Sequence, residues 1–340
     1  MAWRNKGDEL SPHPIQTLPP AISRWATSDC GAPYVHERIG IDAGPDVLVT
    51  ALVHGNEYAG AIAVHELLAS GWQPACGRVT FAFCNVAAFE QFDAQAPDAS
   101  RYVDEDFNRV WSKQRLASSD STTELLRARQ LQPYVARATH LLDLHSMHEP
   151  ATPLLVTGTL QRNIDFAQGL QTSAQVIIDT GHADGVRMRD HGEFSNPHGH
   201  RIALLLEAGQ HWQMSSVHAT RDTLMRFLTR AGCLAKADIL PGWLLPDRTP
   251  PVPVRVTDRV VAQSMDFAFT SGFTGGEVIA KAGTVIAVDA GQRITTPYDN
   301  CMLVMPSVRQ LRPGVTTVRL GRQISLVPDR NDVSPQNPNR

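Results

Sequence analysis

Four short stretches of this chain carry side chains able to act together. The first is VLVTALVHGNEYAG, from Val47 to Gly60. Val47, Leu48, Val49, Leu52 and Val53 form a largely β-branched apolar run suited to a central strand, and His54 stands at its C-terminal end. Tyr58, Ile62, Val64, His65, Leu67 and Leu68 then follow helical spacing as far as Gly71, which places Glu57 near the first helical turn. With Gly55 turning the chain tightly between them, His54 and Glu57 can aim a ring nitrogen and a carboxylate oxygen at one ion about 2 Å from each. An HxxE pair is also the pattern of a structural histidine beside a surface glutamate, so a third ligand is required.

The segment HLLDLHSMHEP supplies one. Leu141, Leu142 and Leu144 predict another strand, ending in His145. His54, Glu57 and His145 would make a three-ligand set with a position left for water, as catalytic zinc requires. Asp143 shares the strand face of His145 and suits orienting it. His148 and Glu149 complete neither HExxH nor HxxEH and are not read as zinc ligands. In IALLLEAGQHW a strand from Ile202 to Leu206 delivers Glu207. A carboxylate there needs a proton, a metal or a hydrogen-bond partner, and service as a general base beside a metal is one such reason. RYVDEDFNRVW, Arg101 to Trp111, is too polar for core and too aromatic for a free linker. Neighbouring arginine and asparagine there suit gripping a carboxylate, and a salt-bridged structural loop fits the same residues.

The elements that must position these groups read as α/β. Strands are expected at Tyr34 to Ile41, Val79 to Val86, Leu154 to Thr157 and Val176 to Ile178, and helices at Glu124 to Ala138, Asn163 to Leu170 and Ser216 to Leu228. Strand, helix, strand implies parallel crossovers, with ligands gathering at the C-terminal strand edges. After Asp238 the proline-rich LPGWLLPDRTPPVPVRV marks a boundary, followed by short strands around Val252 to Val261, Glu277 to Ile279, Thr284 to Val288, Cys301 to Met305 and Val315 to Leu320. The expected architecture is a mixed, mainly parallel central sheet flanked by helices, with a small C-terminal all-β domain. The divisions are an N-terminal arm at 1–24, a main domain at 25–238, the β domain at 239–330 and a tail at 331–340. Between them, His182, His191, His198 and His200 fall in a loop that also holds Arg187 and Arg189; they read as solvated, in a region able to line a substrate entrance.

Composition narrows the function classes. The net charge is −3 over 340 residues with no Lys/Arg block, which leaves no electrostatic footprint for nucleic acid or an acidic membrane surface. Cys30, Cys76, Cys84, Cys233 and Cys301 are scattered and never form CxxC, so reduced cysteines and neither a disulfide framework nor a thiolate zinc site are expected. The opening segment lacks the apolar core of a secretory signal, and no run of about 18 apolar residues occurs, so a cytoplasmic protein is expected.

Taken together, HGNE at His54 to Glu57, RYVDEDFNR at Arg101 to Arg109, DLH at Asp143 to His145 and LLLEAG around Glu207 resemble the succinylglutamate desuccinylase/aspartoacylase family in order and content. These are zinc amidohydrolases related in fold to the metallocarboxypeptidases, and the β-rich tail is similar to the family's C-terminal domain. The resemblance implies one zinc ion per chain on His54, Glu57 and His145, with Glu207 as base and Arg101 polarising the scissile carbonyl. It further implies Asn108 and Arg109 as binders of a substrate carboxylate, with Asp106 buttressing their loop, and a homo-oligomer. The expected substrate is a small N-acyl amino acid. No clear match exists among Arg187, Arg189 and Arg201 for the arginine that holds a second substrate carboxylate, and the loop from Ser264 to Phe273 lacks a tyrosine; both argue against a doubly anionic substrate. Two rivals remain: a zinc carboxypeptidase acting on short peptides, and a zinc-containing binding protein without turnover.

Overall fold

The computed structural model describes residues 13–181, 184–249 and 251–324. His182, the first twelve residues of the expected arm and the expected tail at 331–340 lie outside them. The strands are β1 Val35–Ile39, β2 Asp42–Ala51, β3 Cys76–Phe83, β4 His140–Met147, β5 Leu154–Val156, β6 Gln175–Ile178, β7 Ile202–Gln210, β8 Val254–Val261, β9 Ala268–Phe269, β10 Val278–Ile279, β11 Val285–Asp289, β12 Gln292–Thr295, β13 Cys301–Val304 and β14 Thr316–Gln323. Eleven of them form one sheet in the order β1-β3-β2-β4-β7-β5-β6-β8-β14-β13-β10. The centre is parallel, with β2 paired to β3 and β4, and β4 to β7. β1 and β5 are antiparallel to their neighbours β3 and β7. The strands beyond the proline-rich stretch continue this sheet through a parallel pairing of β8 with β6, then run antiparallel. β12, β11 and β9 make a separate small sheet.

Four helices cover the two faces of the central sheet: α1 Ala59–Ala69, α2 Thr123–Arg137, α3 Gln161–Gln168 and α4 Met214–Ala231. The period-two alternation of strand side chains divides the core accordingly. Val47, Val49, Leu142, Leu144, Leu204 and Leu206 pack on the side of α1, α3 and α4, whereas Leu48, Leu141 and Ala203 pack with α2. Both faces being covered, the strands read as near-continuous apolar runs. Among the described residues no helix is long and apolar enough to cross a membrane.

Two local expectations are corrected. β2 ends at Ala51 because Leu52 turns left-handed at φ 58°, and its carbonyl accepts from Asn85 N at 2.7 Å. His54 therefore stands three residues beyond the strand, and Glu57 precedes α1, which starts at Ala59, instead of lying in its first turn. Gly55 is required by close approach and has no positive φ: a Cβ there would lie 2.3 Å from Ser100 O and 2.5 Å from the backbone of Ala88 and Phe89. The chain segments that carry His54 and Arg101 are thereby pressed together, and Gly55 N donates to Arg101 O at 3.0 Å.

Candidate active site

The parallel ladders bring the predicted residues to one edge. Across β4 and β7, His145 is the direct partner of Glu207, so their side chains rise from the same face. Both lie inside their strands, before the ends at Met147 and Gln210. The loop after β2 sets His54 and Glu57 beside them. Glu57 Oε1 lies 2.7 Å from His54 Nδ1, and Glu57 Oε2 lies 2.9 Å from His145 Nδ1. Ser146 N, at 3.1 Å, and Arg101 Nη1, at 3.0 Å, also donate to the Glu57 carboxylate. Burial alone would raise the Glu57 carboxyl, but His54 and His145 hold it well below the usual carboxylate range.

This donor set fits a zinc ion. Two imidazoles and a carboxylate, all buried, offer ligand atoms within 4.8 Å of one another. Beside them Glu207 Oε2 is shut away without a hydrogen-bond partner. Burial, and then the Glu57 charge, push the Glu207 carboxyl up to about 8. Asp143 Oδ2 approaches His145 Nε2 to 3.0 Å but off a hydrogen-bonding direction, while its Oδ1 accepts from Thr50 Oγ1 at 2.7 Å.

The segment from Arg101 to Trp111 forms the opposite wall, pinned by Phe107 and Trp111, whose rings pack 5.8 Å apart in the α2-side core. Arg101 Nη2 lies 3.0 Å from His54 Nε2 and donates to Asp106 Oδ2 at 3.4 Å. Asp106 Oδ1 lies 3.0 Å from His54 Nε2 and accepts from Asn108 N at 2.8 Å, so one carboxylate braces the histidine and the loop. Asn108 Oδ1 is taken by Met188 N at 2.8 Å, and its Nδ2 lies 3.4 Å from His145 Nε2. Arg109 donates through Nη1 to Asn108 O at 2.8 Å and borders the cavity.

That cavity, ≈ 620 Å³, is bordered by His54, Glu57, Arg101, Arg109, His145 and Glu207. Met147, Val156, Ile177 and Leu205 give it an apolar side, extended by Val304 and Met305 from the C-terminal strands. Of the 182–201 segment, Asp184 and Arg187 reach it. Arg187 is gripped by Asp179 at 2.8 and 3.0 Å and by Asp190 at 2.6 Å. Arg189 is buried and donates to Thr157 O and Ala203 O. His191 is likewise buried, 2.6 Å from Trp111 O, against the expectation that it is solvated; His198 and His200 are exposed.

Glu124 was legible only as a helix start. It is fully buried and accepts from Asn85 Nδ2, Val103 N, Asp104 N and Glu105 N at 2.7 to 3.2 Å, clamping the loop that carries Arg101 and Arg109. An acid in a helix's first turn normally faces water, so nothing local marks it. Glu124→Ala is expected to cost on the order of 3 kcal/mol, because four donors lose one acceptor. Urea unfolding measures this, and an unchanged midpoint would refute the clamp. His211, one residue past β7, lies close to the C-terminal end of an apolar strand as His54 and His145 do, and that signal could have found it.

The model of the succinylglutamate desuccinylase/aspartoacylase catalytic domain matches residues 43–229. Among solved structures, a succinylglutamate desuccinylase/aspartoacylase from Rhodobacter sphaeroides superposes with a TM-score of 0.64 at 17% identity, over 86% of this chain and 88% of that one. The succinylglutamate desuccinylase from Chromobacterium violaceum gives 0.58 at 22% identity, over 87% and 90%. The product-bound ectoine utilization protein EutE (DoeB) from Ruegeria pomeroyi gives 0.59 at 18% identity, over 84% and 87%. These likenesses establish a shared fold. No curated protein matches the chain. The family match spans more than half of the chain and contains every residue that builds the corner around Glu57, and on that footing the chain belongs to the succinylglutamate desuccinylase/aspartoacylase family.

Proposed function

We propose that this protein is a zinc-dependent amidohydrolase that splits an N-acyl amino acid into a carboxylate and a free amine. Family membership supports a hydrolase acting on amides; the metal, the residue roles and the substrate are our reading. The observation that carries it is Glu207: a carboxylate with an unpartnered buried oxygen, set against His145 in a cavity that Arg101 and Arg109 also border. A structural metal site has no use for such a group. Zinc held by His54, Glu57 and His145 would supply a Lewis acid and lower the pKa of a water toward about 7.

The chain's own residues then divide the work. Glu207 accepts the proton of the attacking water and passes it to the leaving amine. Arg101, fixed by Glu57 and Asp106, points its guanidinium at the oxygen that becomes negative as the carbonyl is attacked. Arg109, with Asn108 Nδ2, holds the substrate carboxylate, and Asp106 steadies both arginines. The apolar side of the cavity suits an uncharged acyl group. Arg187, already neutralised by Asp179 and Asp190, is a poor clamp for a second carboxylate. The C-terminal strands supply part of the cavity wall, which favours a small acyl amino acid over an extended peptide.

The test is a panel of N-acyl amino acids, their α-carboxamides and short peptides, offered to the zinc-loaded chain and scored for released amine. N-acyl amino acids should be cleaved, and the carboxamides at least about 100-fold more slowly, because Arg109 then lacks its partner. Faster cleavage of peptides would shift the assignment to a carboxypeptidase. No amine from any substrate, with zinc bound, would leave a binding protein.

A further inference from the structure

A second cluster of metal-ligand side chains lies beside the first and takes no part in the proposed hydrolysis. It joins three segments: Asp98, in the loop before Arg101; His148, one residue past β4; and His211, one residue past β7. Their ligand atoms also lie within 4.8 Å of one another. His148 Nδ1 is the hub, 3.3 Å from Asp98 Oδ1 and 3.2 Å from His211 Nε2. The two rings meet edge to face, with centroids 4.8 Å apart.

Hydrogen bonding alone accounts poorly for this arrangement. An imidazole nitrogen carries one in-plane hydrogen or one lone pair, so His148 Nδ1 can serve one of its two neighbours well. Hydrogen bonds that involve a carboxylate and a charged donor contract to about 2.7–2.9 Å. The separations here are longer, and they match the edge of a tetrahedron whose corners stand about 2.0–2.1 Å from a central zinc, an edge of about 3.3–3.4 Å. The third ligand is also pre-oriented. His211 is 1% exposed, and its Nδ1 lies 2.8 Å from Ser146 Oγ. With Nδ1–H donated to that hydroxyl, Nε2 presents a bare lone pair to the cluster, the usual way a distal hydrogen bond fixes a metal-ligating histidine.

We propose that Asp98, His148 and His211 form a second binding site for a divalent transition metal, zinc in the first instance, in the wall of the same cavity. Two imidazoles and a carboxylate favour zinc, cobalt(II) or nickel(II) over magnesium or calcium. His148 borders the cavity, so an open coordination position there faces the space where substrate enters. Ser146 is the strut between the two sites: its amide N–H bonds Glu57 and its hydroxyl bonds His211. Asp98 and His148 remain partly accessible, with side chains 36% and 17% exposed, whereas Glu57 and His145 are nearly sealed. The second site therefore binds more weakly and fills after the first.

The site does not depend on the hydrolytic reading and is tested by stoichiometry. Full-length chain stripped by a chelator is titrated with zinc sulfate by calorimetry, with bound metal measured after gel filtration, and again with cobalt(II) read by its visible absorption. Wild type should take up two equivalents in two steps. Asp98→Asn and His148→Gln, both partly accessible and close in size to the native residues, should each keep the first step and weaken the second by more than about 100-fold. In a His145→Ala background one equivalent should remain and be lost on adding His148→Gln. A single equivalent in wild type at millimolar zinc, or a second equivalent that survives in either variant as adventitious surface binding would, overturns the proposal. Two equivalents in wild type that both persist in His145→Ala, with one of them lost on adding His148→Gln, would count against the primary site alone.

Discussion

Glu207→Gln is expected to keep its first equivalent of zinc and lose turnover by about 10³- to 10⁴-fold, the upper part of the range for general acid–base catalysis. Glutamine preserves the shape of the side chain and its place across from His145, and removes the ability to take up and return a proton. The side chain is suited to that task by its surroundings: burial and the neighbouring Glu57 charge push its carboxyl up to about 8, so its proton is exchangeable near neutrality. The size of the stability change distinguishes this role from a structural one. Burial and the Glu57 charge push the Glu207 carboxyl up to about 8, so near neutrality the substitution exchanges one uncharged group for another, and no neighbouring donor loses an acceptor at Oε2. Thermal unfolding of Glu207→Gln should therefore stay within about 5 °C of the wild-type temperature. Near-native turnover would sink the assignment, and a large fall in unfolding temperature would mean that Glu207 holds the fold.

The corner around Glu57 was readable because its residues sit where strand patterning ends. Val47 to Val53, Leu141 to Leu144 and Ile202 to Leu206 are apolar enough to announce buried strands, and a parallel sheet then brings their C-terminal ends to one side. The sequence pattern could not carry what depends on contacts between distant segments. Glu124 clamps the Arg101 loop from a helix that looks ordinary, and His191 is buried against Trp111 although its neighbours are glycine and charged residues. The two short strands β9 and β12 have too few residues for an alternation to register. The displacement of Glu57 out of α1 follows from the left-handed turn at Leu52, a conformation that a leucine does not advertise.

Removing a first-site ligand should abolish metal uptake there together with activity. His145→Ala is expected to show no tight zinc step and turnover below about 10⁻³ of wild type, since three ligands are the minimum for catalytic zinc. The charges explain why the loss cannot be compensated locally. Glu57, Asp106 and Asp143 approach the two histidine rings, and Arg101 is the guanidinium in contact with them. Arg109 also pairs with Asp106, so three carboxylates against two guanidinium groups leave a surplus of one negative charge in this buried corner, which a divalent ion would offset. Glu57→Gln tests the same balance from the anionic side. It removes one charge and puts an amide N–H₂ among groups that need an acceptor, so zinc affinity should fall by more than about 100-fold. Because the glutamine carbonyl can still ligate, activity in Glu57→Gln should be partly restored by excess zinc, whereas His145→Ala should not recover. Activity in His145→Ala that persists after exhaustive chelation would show that the reaction does not run through this corner.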